Sequence, residues 1–74
     1  MDDIELDIKS DIAIDIVMNN IAALTNEYST TKDEKRSKEL KEKINILNKI
    51  KDEVYLGNKD IILNVIKKGK EGIL

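Results

Sequence analysis

The sequence predicts an all-α fold, an antiparallel helical hairpin followed by a short third helix, and three observations support that prediction. The chain of 74 residues contains no proline, and its three glycines all lie after residue 56, so little interrupts a helix before that point. Apolar residues recur at spacings of three and four along much of the chain. The only aromatic residues are two tyrosines, and small aliphatic side chains suit helix-on-helix packing. A length of 74 residues predicts one small domain, residues 1–74.

The first helix is predicted over residues 10–28. Ser10 is a candidate N-cap, and Asp11 would lie in the first turn beside the positive end of the helix. The core-facing positions follow a heptad pattern: Ile14, Val17, Ile21, Leu24 and Tyr28. A second, narrower apolar patch consists of Ile12, Ile16 and Ala23.

Residues 1–9 form a lead-in with two possible conformations. Ile4, Leu6 and Ile8 alternate with charged residues, which is the period of a β-strand. An aspartate near the N-terminus could equally cap an earlier start of the first helix. An extended or helical lead-in is favoured over a strand that pairs in a sheet.

The second helix is predicted over residues 32–56. Thr31 and Glu34 fit the capping box, in which a hydroxyl and a carboxylate each bind the other residue's backbone N–H. The predicted core positions are Leu40, Ile44, Leu47 and Val54, with Ile46 and Ile50 to one side.

Gly57 suits the residue that follows the end of this helix, and Asn58 can cap the next one. The third helix is predicted over residues 59–68, and residues 69–74 are predicted to be a tail. The apolar face of this third helix comprises Ile61, Ile62, Val65 and Ile66.

Self-association is predicted from the unequal lengths of the first two helices. At a rise of 1.5 Å per residue the first would be about 28 Å long and the second about 37 Å, so the second would overhang by roughly two turns. The apolar surface left over would be covered most simply by a second copy, giving a dimer or a higher oligomer. Packing within one chain and docking of a foreign protein remain alternatives for the same surface. The candidate residues between subunits are Ile12, Ile16, Ile46 and Ile50.

The composition argues against catalysis. The chain has neither cysteine nor histidine, which excludes a thiol nucleophile, a zinc–thiolate site and the commonest general base. The glycine spacing matches no phosphate-binding loop. The acidic residues near the N-terminus do not form a calcium-binding loop. We therefore assign no catalytic, cofactor-binding or metal-binding residue and expect a non-enzymatic protein.

Charge is unevenly distributed along the chain. Residues 1–31 carry seven acidic and one basic side chain, for a net charge of −6, and residues 32–74 carry eight acidic and twelve basic ones, for +4. This asymmetry could steer two copies together or attract an anionic partner, although an acidic helix packed against a basic one within a hairpin also explains it.

The longest apolar run, residues 21–24, is too short to span a bilayer, and a soluble cytoplasmic protein is expected.

The stretch YLGNKDIILNVIKKGK, residues 55–70, resembles the helix-turn-helix segment of excisionase-type DNA-binding proteins. In that family a YLG turn leads into a recognition helix that ends in IKKGK. The resemblance implies DNA binding in which Asn64 reads a base edge and lysines neutralise phosphates. The residues implied to contact DNA are Lys59, Asn64, Lys67, Lys68 and Lys70.

A hairpin that ends in IKDEVYLGNKDII is also similar to short helical proteins of phages and mobile elements of low-GC Gram-positive bacteria. This resemblance implies a small regulator or inhibitor that binds a host protein. A further alternative is an oligomeric counter-defence protein that sequesters a nucleotide. Its phosphate pocket would require Arg36 and clustered lysines from two subunits.

Overall fold

The computed structural model describes residues 3–69, which form three helices and, within that range, no β-strand. The helices are α1 (Asp3–Thr30), α2 (Glu34–Tyr55) and α3 (Lys59–Lys68). The prediction of an all-α hairpin with a short third helix is confirmed. The bundle is elongated, with principal extents of 50 × 19 × 15 Å.

The first helix is longer than the sequence pattern suggested. It begins at Asp3 rather than at Ser10, so described residues 3–9 are helical and the strand alternative is wrong for them. Ser10 is half-buried inside α1 and therefore is not its N-cap. In a helix Ile4 and Ile8 lie on one face and Leu6 lies on the other. The alternation of apolar and charged residues is therefore compatible with a helix as well as with a strand.

A tight connection, residues 31–33, joins α1 to α2, and Asp33 caps α2. The Asp33 carboxylate accepts hydrogen bonds from the backbone N–H groups of Lys35 (2.9 Å) and Arg36 (3.4 Å). The predicted capping box from Thr31 to Glu34 is therefore wrong by two residues. The Thr31 hydroxyl oxygen instead accepts a bond from the Asp33 N–H at 3.4 Å, which positions the residue that caps the helix.

Helix α2 ends in a Schellman motif. Gly57 has a φ of +81°, its N–H donates to the Val54 carbonyl at 3.0 Å, and the Asn58 N–H donates to the Glu53 carbonyl at 3.1 Å. The Asn58 side chain then accepts a bond from the Ile61 N–H at 3.3 Å and caps α3. The predicted roles of Gly57 and Asn58 are both confirmed, and together they turn the chain back within a few residues.

Helix α3 runs parallel to the N-terminal half of α1. Near its start Lys59 and Leu63 line a cleft with α1 residues Glu5 and Lys9, and at its other end Gly69 approaches Ile16. The half of the molecule that contains α3 is therefore a three-helix bundle, and the half nearer the 31–33 connection is a two-helix hairpin.

The core lies mainly where all three helices meet. The buried residues of this cluster are Ala13, Val17, Leu47, Val54, Ile62 and Val65. Leu40 is also fully buried, two turns nearer the connection than Leu47. The two predicted stripes face inward except at Tyr28, with Ile14, Ile21, Leu24 and Ile44 half-buried. Tyr28 is 40% exposed, so its prediction as a core position is wrong: it lies beside the 31–33 connection, where α3 does not reach.

The expectation that the second helix overhangs the first is wrong, because α1 has 28 residues and α2 has 22. The lengths correspond to about 42 Å and 33 Å. It is the N-terminal end of α1 that extends past α2, and α3 packs beside that extension. The N-terminal part of α1 therefore has an outer face that neither α2 nor α3 covers.

Candidate functional site

Aliphatic side chains at intervals of four form a row along the outer face of α1. Ile4, Ile8 and Ile12 are 77%, 55% and 46% exposed. Successive members of the row lie about 40° apart around the helix, and the buried residues Ala13 and Val17 lie on the opposite side. A continuous row of exposed isoleucine is unusual for a surface without a partner.

Acidic side chains flank this row. Asp11 and Asp15 are exposed on the side of α1 that faces away from α3. On the side toward α3, Glu5 and Lys9 form an ion pair, with 3.2 Å between the Lys9 Nζ and the Glu5 Oε1. Across the cleft from this pair lie Lys59 and Leu63 of α3, and Leu63 is 39% exposed.

The four residues predicted to lie between subunits fall into two classes. Ile12 on α1 and Ile46 on α2 are almost equally exposed, at 46% and 47%. Ile16 and Ile50 are half-buried and pack against the central cluster of the same chain. Two of the four predicted residues, Ile16 and Ile50, are therefore packed within the chain, and Ile12 and Ile46 remain accessible to a second molecule.

The polar residues implied by the helix-turn-helix resemblance lie on the solvent side of α3. Lys59, Asn64, Lys67 and Lys68 are all exposed, while Lys70 lies outside the described residues. The same face also carries Asp60 and Leu63. It is therefore a mixed basic and apolar surface, and Lys67 and Lys68 supply positive charge at its C-terminal end.

Arg36 forms an ionic clamp across the hairpin. Its Nε and Nη2 donate to the two carboxylate oxygens of Glu27 at 2.7 and 3.1 Å, and its Nη1 lies 3.5 Å from Glu39. The hydrogen bond from Arg36, followed by its charge, lowers the pKa of Glu27, and the reciprocal bond raises the pKa of Arg36. Arg36 was the residue that a nucleotide pocket would require, and its guanidinium is already paired within the chain.

An open cleft of about 340 Å³ lies beside the 31–33 connection. Both basic and acidic side chains line it, including Lys32, Asp33, Lys38 and Lys41. The cleft is open to solvent and does not provide the enclosed setting that small-molecule sites usually have.

Neither a membrane span nor a metal cluster is found in residues 3–69. None of the three helices is long and apolar enough to cross a bilayer. No three acidic side chains in this range converge on a point where they could hold a cation. Within the same range, α1 and α3 carry exposed apolar side chains beside charged ones.

Comparison of the chain with protein-family models, with curated proteins and with solved structures returns no match.

Proposed function

We propose that this protein is a non-enzymatic protein–protein interaction module that first associates with itself, as a small regulator or inhibitor would. The observation that carries the proposal is the row of Ile4, Ile8 and Ile12 on the uncovered face of α1. Burying such side chains against a partner is favourable by about 25 cal/mol for each Å² of apolar surface removed from water. The folded chain leaves that free energy available for association.

The chemistry of the described residues supports contact rather than turnover. The lowered pKa of Glu27 and the raised pKa of Arg36 come from two groups that bind each other in a surface ion pair. Catalytic groups typically have pKa values moved by burial or by like charges. A pair that stabilises a hairpin connection has no such signature.

Native mass spectrometry on gently purified protein tests this proposal, together with sedimentation equilibrium over a wide concentration range. We expect masses at multiples of the 8.4 kDa chain. A monomer at every concentration would overturn self-association. A retained mass in the nucleotide range would instead support the sequestering alternative and displace the present proposal.

DNA binding by residues 55–70 is the second candidate, and it is favoured by the exposure of Lys59, Asn64, Lys67 and Lys68 on α3. Phosphate contacts by lysine make affinity fall steeply with salt. Fluorescence anisotropy with a labelled duplex at 50 and 200 mM salt would detect this. Binding that weakens with salt and is lost in Lys67→Gln but not in Lys49→Gln would favour DNA over protein contacts, and absence of binding at low salt would exclude the candidate.

A further inference from the structure

We propose that two copies dimerise about a two-fold axis parallel to the helices, with the outer face of α1 packed against the outer face of the partner's α3. This inference rests on the proposed function, because it specifies the surface through which self-association occurs. Helices α1 and α3 run parallel, both carry exposed apolar side chains, and charged residues lie beside those side chains.

The two faces belong to one surface. Glu5 and Lys9 of α1 line a cleft with Lys59 and Leu63 of α3, so the row of Ile4, Ile8 and Ile12 lies on one side of the cleft and Leu63 on the other. A two-fold axis that runs along this cleft exchanges the two sides. It places α1 of each copy against α3 of the other, and both contacts form at once, so the assembly closes as a dimer.

The axial positions match. Lys59 and Leu63 lie beside Glu5 and Lys9 at one end, and Gly69 lies beside Ile16 at the other. Leu63 is therefore at the level between Ile8 and Ile12, and a two-fold axis parallel to the helices keeps that level. The partner's Leu63 would insert between Ile8 and Ile12 as a knob between two residues one turn apart.

Two pairs of charged residues beside this apolar contact are complementary. Lys67 is one turn beyond Leu63 on the rim away from the cleft, at the level of Asp15, which lies on the corresponding rim of α1. The partner's Lys67 would therefore face Asp15. Near the axis, the partner's Lys59 would face Glu5, and the existing Glu5–Lys9 pair adds no net charge there.

The antiparallel alternative has unfavourable charges. A two-fold axis perpendicular to the helices would pack α1 against the partner's α1 and set Asp11 beside the partner's aspartates on the same rim. Like charges in neighbouring helices repel each other, and no lysine of α1 lies on that rim. In the parallel arrangement Asp15 instead faces a lysine, the partner's Lys67, on a rim of α3 that also carries Asp60.

A charge-exchange series measured by sedimentation equilibrium at low and moderate salt tests the arrangement. Asp15→Lys and Lys67→Asp should each raise the dimer dissociation constant by roughly tenfold, since each change disrupts two symmetry-related contacts. The double variant should recover most of the affinity, because it restores opposite charges. Lys49→Asp, an exposed change on α2, is the matched control and should have little effect.

An apolar pair of variants provides a test that does not depend on salt. Leu63→Ser should raise the dissociation constant at least tenfold, whereas Ile46→Ser on α2 should leave it near the wild-type value. Circular dichroism under dilute monomeric conditions checks that each variant retains its helices. A dimer that survives both single charge reversals and Leu63→Ser would overturn this interface while leaving self-association intact, and a wild-type monomer would overturn both.

Discussion

Arg36 binds Glu27 through two parallel hydrogen bonds, with Nε–Oε2 at 2.7 Å and Nη2–Oε1 at 3.1 Å, and so joins the last turn of α1 to the first turn of α2. The planar guanidinium matches both carboxylate oxygens, which a lysine at the same position cannot do. The pair closes the end of the hairpin that α3 does not reach. Its strength depends on the ionised form of Glu27.

The pKa of Glu27 gives this pair a defined pH dependence. Because the hydrogen bond from Arg36 lowers the pKa of folded Glu27 below its ordinary value of 4.5, its stabilising effect is complete above that value. The effect is lost as the pH falls through the lower pKa of the folded state. We therefore expect Glu27→Gln to lower the Tm by a few degrees at neutral pH and low salt, and the difference from wild type to vanish in strong acid.

Thermal unfolding followed by circular dichroism between pH 7 and pH 2 measures that difference. Glu42→Gln, an exposed change on α2, serves as the control for removing one carboxylate. If the two variants differ from wild type equally at every pH, the bond between Glu27 and Arg36 does not contribute to stability in solution.

The N-cap of α2 gives a second prediction, which separates two neighbouring residues. Asp33→Ala should cost about 1 kcal/mol of unfolding free energy, because it removes the acceptor for the N–H groups of Lys35 and Arg36. Thr31→Ala should cost clearly less, since the Thr31 hydroxyl oxygen accepts only from the Asp33 N–H at 3.4 Å. Urea denaturation of both variants makes the comparison. A larger loss for Thr31→Ala would restore the capping box that the sequence suggested.

The helix ends show why sequence predicted some boundaries better than others. Gly57 and Asn58 were assigned correctly because a left-handed residue and an N-cap each require few residue types. The start of α2 was misplaced because Thr31 and Asp33 are both good N-caps, and the choice depends on how the connection packs. The start of α1 was misplaced because Ile4 and Ile8 fit both a strand and a helical face.

The surface was harder to predict than the core. Leu40, Leu47 and Val54 share one helical face, so their burial followed from their spacing. Helix α1 has apolar residues on most of its circumference, and the positions of α2 and α3 together decide which of them are covered. Ile16 is packed against the core under α3, whereas Ile12, one turn away, is left exposed. Ile12 and Ile16 could not be distinguished from the sequence, because the sequence does not show where α2 and α3 lie.

Gly57 gives a third prediction, which concerns backbone conformation alone. A Cβ added at this residue would meet no atom within 4 Å, so Gly57→Ala introduces no collision. Its cost should come from the positive φ of +81°, at about 1–2 kcal/mol. Gly57→Asn should cost less, because asparagine tolerates the left-handed region better than alanine. Equal losses for the two variants in urea denaturation would mean that the Schellman motif does not restrict this residue in solution.

Leu47 and Ile46 provide the last prediction, because adjacent residues of α2 lie on opposite sides of the core boundary. Leu47 is fully buried in the cluster shared by the three helices, and Ile46 is about half-exposed. Leu47→Ala should cost about 2–5 kcal/mol through lost burial and a residual cavity. This is a large part of the total of about 4–11 kcal/mol that 0.05–0.15 kcal/mol per residue gives for 74 residues.

Ile46→Ala removes less buried surface and leaves no enclosed cavity, so its cost should stay below about 1 kcal/mol. Urea denaturation at a concentration that keeps the protein monomeric isolates this difference from any effect on association. The contrast also tests the rotational orientation of α2. If Ile46→Ala proved the more damaging of the two, the face of α2 that packs against α1 and α3 would have to be rotated by about 100° from the one described.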